Sequence, residues 1–139
     1  MAKPKSEQTI IFSGRFDRPH LGHIETITKL GREYARVIVV ILKYEDQRYP
    51  ICYRYERMLA ILDRCKGNYD VRVNQTHFAE ITREDLDCYD ADVYGAGNVE
   101  VLRHIESLGY PCVFLDRSDE DAASDDWKYQ QIRGLVNNG

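Results

Sequence analysis

Residues 10–23 read IIFSGRFDRPHLGH. A β-branched and aromatic run stops at Ser13 and Gly14, and a proline and two histidines, His20 and His23, follow it closely. The run suits a buried parallel strand. Gly14 permits a tight exit where a Cβ would obstruct backbone or ligand. Pro19 suits the first turn of a helix, where its missing N–H has no intrahelical partner to lose. Leu21, Ile24, Ile27 and Leu30 then form one apolar helical stripe, with Gly31 as its stop. Strand, glycine turn and helix make the first unit of an α/β fold.

The same alternation runs on. Residues 36–42 (RVIVVIL), 70–73 (DVRV), 91–95 (ADVYG) and 110–116 (YPCVFLD) read as further strands. Helical stripes fall between them at Tyr55, Leu59 and Leu62, and at Leu102, Ile105 and Leu108, the latter closed by Gly109. Tyr129, Ile132 and Val136 mark a last helix, and TREDLDCYD (82–90) holds a short one. Each parallel crossover needs a covering element. The pattern therefore predicts an α/β, Rossmann-like three-layer sandwich around a parallel sheet of about five strands.

Length and composition narrow the function. The 139 residues suit one domain, read as residues 9–139 behind a flexible tail at 1–8. The formal net charge of −4 offers no global case for nucleic acid or an anionic membrane as partner. No apolar run approaches the ~20 residues of a transmembrane helix, and MAKPKSEQT lacks the apolar core of a secretory signal. Four dispersed cysteines without a CxxC pair read as reduced thiols of a cytoplasmic protein.

Against that acidic background, an anionic substrate needs local donors. His20 and His23 stand three residues apart at the mouth of a helix, with Gly22 between them so that something large can lie flat. The helix N-terminus adds N–H groups and partial positive charge. Metal-binding histidines on a helix are more typically i, i+4, and no third ligand accompanies these two, so no residue is assigned to a resident metal. The combination is a polyanion site. Phosphoryl chemistry fits it, because that catalysis is mostly positioning and charge stabilisation.

At these residues the chain resembles the HxGH-motif nucleotidyltransferase superfamily, which includes glycerol-3-phosphate cytidylyltransferases and nicotinamide mononucleotide adenylyltransferases. GRFDRPHLGH, Gly14 to His23, is similar to the family's first block. YRYERMLAIL (53–62) is similar to its second helix, with Arg57 matching the family arginine. DADVYGAGN (90–98) is similar to the strand end beside the nucleoside, and CVFLDRS (112–118) to the start of a phosphate loop. The family's closing serine/threonine loop is altered here to SDEDAASDDWKYQQIR, in which Ile132 and Arg133 still match.

The resemblance implies transfer of a nucleoside monophosphate from an NTP to a small phosphorylated acceptor, with release of pyrophosphate and with Mg²⁺ on the triphosphate. It assigns His20, His23 and Arg133 to catalysis. Gly14, Arg15, Phe16, Gly22, Gly95, Asn98, Arg117, Ser118 and Ser124 are expected around the nucleotide, and Asp17, Arg18, Lys43 and Arg57 around the acceptor. CTP is the first choice of nucleotide. GRF, Gly97–Asn98 and the terminal Ile132–Arg133 favour ATP and an adenylyltransferase of the nicotinamide mononucleotide type instead. The altered C-terminal segment keeps open a non-catalytic nucleotide-binding protein. A homodimer is expected by analogy with related enzymes.

Overall fold

The computed structural model describes residues 3–43 and 45–115. Five strands, β1 (Thr9–Gly14), β2 (Arg36–Leu42), β3 (Tyr69–Asn74), β4 (Val93–Ala96) and β5 (Cys112–Phe114), form one parallel sheet. Their order is β3-β2-β1-β4-β5. The helices are α1 (Leu21–Glu33), α2 (Ile51–Leu62), α3 (Arg83–Asp87) and α4 (Val99–Ser107). This is the expected Rossmann-like sandwich. The helix expected at 129–136 lies outside the described residues.

The central strands are apolar on both sides because both sides are covered. Ile10 and Phe12 of β1 join Val37, Val39 and Ile41 of β2 beneath Ile27 and Leu30 of α1 and Met58 and Leu62 of α2. On the other face Ile11, Ile38, Val40 and Leu42 pack against Leu86 of α3 and Val101, Leu102 and Ile105 of α4. The segment 82–90 does hold a short helix. Thr82 caps α3, its hydroxyl accepting the N–H of Asp85 while the Asp85 carboxylate accepts the N–H of Thr82.

Three local expectations change. Gly31 does not stop α1, which runs on to Glu33. A Cβ at Gly31 would stand 2.4 Å from the Tyr69 hydroxyl, so the glycine admits β3's tyrosine rather than ending the helix. Gly109, at φ +80°, does take the left-handed position after α4. The buried stripe of α2 is Arg54, Met58 and Leu62, while Leu59 of the expected stripe is 40% exposed. Finally, the segment expected as a loose tail is stitched to the body from Lys3 on. Lys5–Glu7 form a 3-10 turn, Ala35 donates to the Gln8 carbonyl at 2.9 Å, and Lys3 pairs with Asp92 at 3.1 Å.

Asp92 ties that segment to β1 by accepting the N–H of Thr9 at 2.8 Å. This backbone hydrogen bond holds its carboxyl below the ordinary carboxylate range, with Lys3 adding to the effect. A depressed folded value contributes stability above the unfolded pKa and loses it as pH falls through the folded one. Asp92→Asn, which keeps a neutral acceptor, should therefore lower stability by roughly 1 kcal/mol at neutral pH. Urea midpoints of the two proteins should converge in acid. A difference that persists at low pH would assign the effect to packing instead.

Candidate active site

From β1 the chain passes outward to β2 and β3, then returns to β4 on the other side of β1. Strand order thus reverses between β1 and β4, and α/β folds place ligands outside the carboxyl ends of strands at such a point. A cavity of about 640 Å³ lies there, lined by the loops that follow β1, β2, β3 and β4.

His20 and His23 both line it. His20 is the N-cap of α1, so Pro19 precedes the cap instead of entering the first turn. The two imidazoles set that boundary. His20 Nδ1 accepts the N–H of His23 at 3.3 Å, and His23 Nδ1 accepts the N–H of His20 at 3.2 Å. This is a capping box built from two histidines. An Nδ1 that accepts carries no proton, so each ring bears its hydrogen on Nε2. The rings stack with centroids 3.6 Å apart and planes at 15°.

Phe16 supports the pair. Its ring meets His23 edge-on at 4.9 Å and Phe12 at 5.5 Å, and the residue is 1% exposed at φ 46°. Phe16, expected beside the nucleotide, lines the cavity and also braces the histidine pair from a buried position. Gly14 is where expected, and the reason is now specific. A Cβ there would come within 3.0 Å of the Phe16 ring.

The other expected residues divide. Arg15, Asp17, Arg18, Lys43 and Asn98 all line the cavity. Asp17 accepts the N–H groups of Arg48 and Tyr49 at 2.6 and 3.0 Å, so it fastens the loop before α2. The Arg18 guanidinium lies over the Tyr49 ring, 5.1 Å from its centroid. Asn98 caps α4, its Oδ1 accepting the N–H of Glu100 at 2.9 Å and of Val101 at 3.4 Å. Gly22 and Gly95 are buried but are not lining residues. Gly95 makes room for Leu115, whose Cδ1 would lie 2.7 Å from a Cβ, and Gly97 beyond the strand end faces the cavity instead. Arg117, Ser118, Ser124 and Arg133 lie outside the described residues.

Arg57, expected around the acceptor, stands apart from the cavity lining. It is exposed on α2 with its guanidinium 5.9 Å from the Tyr53 ring centroid, and it does not line the cavity. The arginine of that helix that faces inward is Arg54, fully buried at 0% exposure. Its guanidinium donates to the carbonyls of Arg15, Leu42 and Tyr49 and to Gln47 Oε1. A hydropathy stripe passes over it because it is charged, although it shares the i, i+4, i+8 register of Met58 and Leu62.

The sequence reading also missed Ser13, Arg48, His77 and Phe78 among the lining residues. His77 and Phe78 follow a predicted strand, the same positional signal that drew attention to His20. Ser13 stands near Tyr94 on one face of the sheet. Burial drives the Tyr94 phenol well above its ordinary range, and the Ser13 hydroxyl partly offsets this.

Comparison with known proteins agrees with this architecture. The Cytidylyltransferase-like family model matches residues 11–115. Mouse (Mus musculus) ethanolamine-phosphate cytidylyltransferase is 25% identical over 109 residues, covering 72% of this chain and 26% of the mouse protein. The chain thus spans about a quarter of that relative's length. Among solved structures, the bifunctional NMN adenylyltransferase/ADP ribose pyrophosphatase of Francisella tularensis, complexed with AMP and a manganese ion, superposes with TM-score 0.65. It is 13% identical, over 86% of this chain and 40% of that one. NadR protein in complex with NAD and AMP-PNP gives 0.67 at 17% identity, over 95% and 43%. A universal stress protein in complex with cAMP gives 0.57 at 14%, over 81% and 99%. At such identities the superpositions establish the fold. The chain belongs to the cytidylyltransferase-like family, within the HxGH nucleotidyltransferase superfamily.

The two arginines of α2 should separate cleanly. Arg54→Met strands the carbonyls of Arg15, Leu42 and Tyr49, which should cost roughly 3 kcal/mol or more. Arg57→Ala should cost less than about 1 kcal/mol. Equal losses in urea denaturation would show that Arg57 supports the fold as much as Arg54 does.

Proposed function

We propose that this cytidylyltransferase-like chain transfers a nucleoside monophosphate to a small phosphorylated acceptor and releases pyrophosphate, using CTP in preference to ATP. The observation that carries the reading is the pair of Nε2–H donors held at the strand-order reversal by their own helix cap. CTP is favoured by the matched family and by the mouse relative's name. ATP is the second reading, favoured by Gly14–Arg15–Phe16 and the terminal Ile132–Arg133.

A phosphate oxygen of the acceptor attacks the α-phosphorus in line. The new P–O bond forms as the bond to the oxygen bridging the α- and β-phosphates breaks, and that electron pair leaves with pyrophosphate. A phosphate monoester is already ionised at neutral pH, so the attack needs no general base. His20 and His23 donate to α- and β-phosphate oxygens as charge builds there. Gly97 and Asn98 border the nucleoside side, and Arg15, Arg18 and Lys43 present cations to the acceptor. Arg133, with Arg117, Ser118 and Ser124, completes the proposal around the β- and γ-phosphates.

Mg²⁺ enters this reading as a counter-ion of the triphosphate, whose charge it neutralises. Among the described residues no group of three or more histidine, cysteine or carboxylate side chains converges on a metal, and Asp17 already accepts two backbone N–H groups. That suits an ion held chiefly by substrate phosphates and water.

His20→Asn is the sharpest test. Asparagine preserves an N-cap acceptor for the His23 N–H but removes the Nε2 donor. Pyrophosphate release should fall about 10²–10³-fold while the melting temperature stays close to that of the parent. In thermal-shift measurements with each NTP, the preferred nucleotide at 100 times its Kd should add about 2.7 kcal/mol. Nucleotide binding without pyrophosphate from any NTP and acceptor pair would favour the non-catalytic reading.

A further inference from the structure

Tyr49, Tyr53 and Arg57 stand four residues apart and run from the segment before α2 along one side of that helix. They meet in that order. The Tyr49 and Tyr53 rings stack with centroids 5.1 Å apart and planes at 23°, and the Arg57 guanidinium lies 5.9 Å from the Tyr53 centroid. At the other end the Arg18 guanidinium lies 5.1 Å from the Tyr49 centroid. The side chains thus form a ladder of cation, ring, ring and cation. It begins at Arg18, which lines the cavity, and ends on the exposed surface of α2. Neither tyrosine lines the cavity.

The inner end of the ladder is held in one place. Arg18 stands at φ 75°, directly before Pro19. The left-handed region is costly for a residue with a side chain, and it persists only where surrounding contacts over-determine it. Tyr49 contributes to that restraint twice. Its ring meets Arg18, and its N–H donates to the Asp17 carboxylate at 3.0 Å. Adjacent residues of the loop after β1 are therefore fastened to the same tyrosine, one through its backbone and one through its ring.

The ladder also has a chemical sense. An aromatic face attracts a cation through its quadrupole, and a guanidinium stacked on it keeps its N–H groups at the rim for an anion. A side chain fixed in advance loses less rotamer freedom when its ligand arrives. Tyr53 buttresses Tyr49 by offset stacking. At 39% exposure its ring is only partly accounted for by burial.

Resting on the transfer reading above, we propose that Tyr49 and Tyr53 are positioning residues, whose stack holds the Arg18 guanidinium at the cavity for the charged group of an anionic substrate. They act through Arg18 and do not touch the substrate. The alternative is a surface stack that only steadies the segment before α2.

Pyrophosphate release separates the two, with CTP and phosphoethanolamine each varied while the other is saturating. Tyr49→Leu should raise the KM of one substrate about fivefold, and Tyr53→Leu the same KM about threefold, with kcat within about twofold of the parent. Tyr49→Phe and Tyr53→Phe keep the ring faces and should restore the parent KM. In an Arg18→Met protein, which has lost the cation, Tyr53→Leu should add nothing further. Unchanged KM values, the same loss from phenylalanine as from leucine, or a Tyr53→Leu effect that persists without Arg18 overturns the proposal. If the parent protein releases no pyrophosphate, the transfer reading has failed, and CTP and phosphoethanolamine are titrated calorimetrically instead. Binding of either one weakened by Tyr53→Leu and not by Tyr53→Phe supports the ladder, while equal binding, or no binding to the parent, overturns it.

Discussion

The cavity depends on one buried guanidinium. Loops at the end of a sheet covered on both faces carry carbonyls that burial takes wholly or partly from water, and these are paired within the protein. Arg54 pairs three of them, from the loop after β1, the end of β2 and the segment before α2. Asp17 meets the same segment from the other side by accepting the N–H groups of Arg48 and Tyr49. A carboxylate takes the donors and a guanidinium takes the acceptors. The rim between β1 and β2 is thereby one hydrogen-bonded unit, in which Arg15, Arg18, Lys43 and Arg48 all present themselves to the cavity.

Within that rim the histidines carry two jobs on one ring. Nδ1 ends a helix or a turn, and in doing so it decides the tautomer that Nε2 offers. The stacking of His20 on His23 and the edge of Phe16 against His23 fix the ring planes. In the proposed transfer, donors of set direction suit phosphate oxygens whose charge grows during a displacement, because little reorganisation is needed as the reaction proceeds. The cap is thus a structural device with a chemical consequence.

The opening stretch was readable for local reasons. A β-branched run, a glycine exit and an apolar stripe at helical spacing agree on one unit, and the repeat of that unit implies the sheet. Elsewhere local reading slipped in characteristic ways. Arg57 matches the family's arginine in YRYERMLAIL, whereas Arg54 is the one that faces inward, in register with Met58 and Leu62. Gly95 and Gly97 are alike in sequence, but the pleat turns the first toward Leu115 and the second stands beyond the strand. Gly31 looked like a helix stop and serves instead as clearance for Tyr69, a residue of a distant strand.

Sequence alone determined the alternation of strands and helices, the double-sided apolar character of the central strands, and the place of the histidine pair after the first of them. These follow from short-range periodicity and from sterics within a few residues. Tertiary structure alone decided strand order, which arginine is buried, which glycine faces the cavity, and that His77 joins His20 and His23 around one space. The physical reason is range. Backbone propensity and hydropathy act between neighbours in the chain, whereas the pairing of a buried guanidinium with three carbonyls, or the meeting of four loops, is settled only when distant segments compete for the same volume.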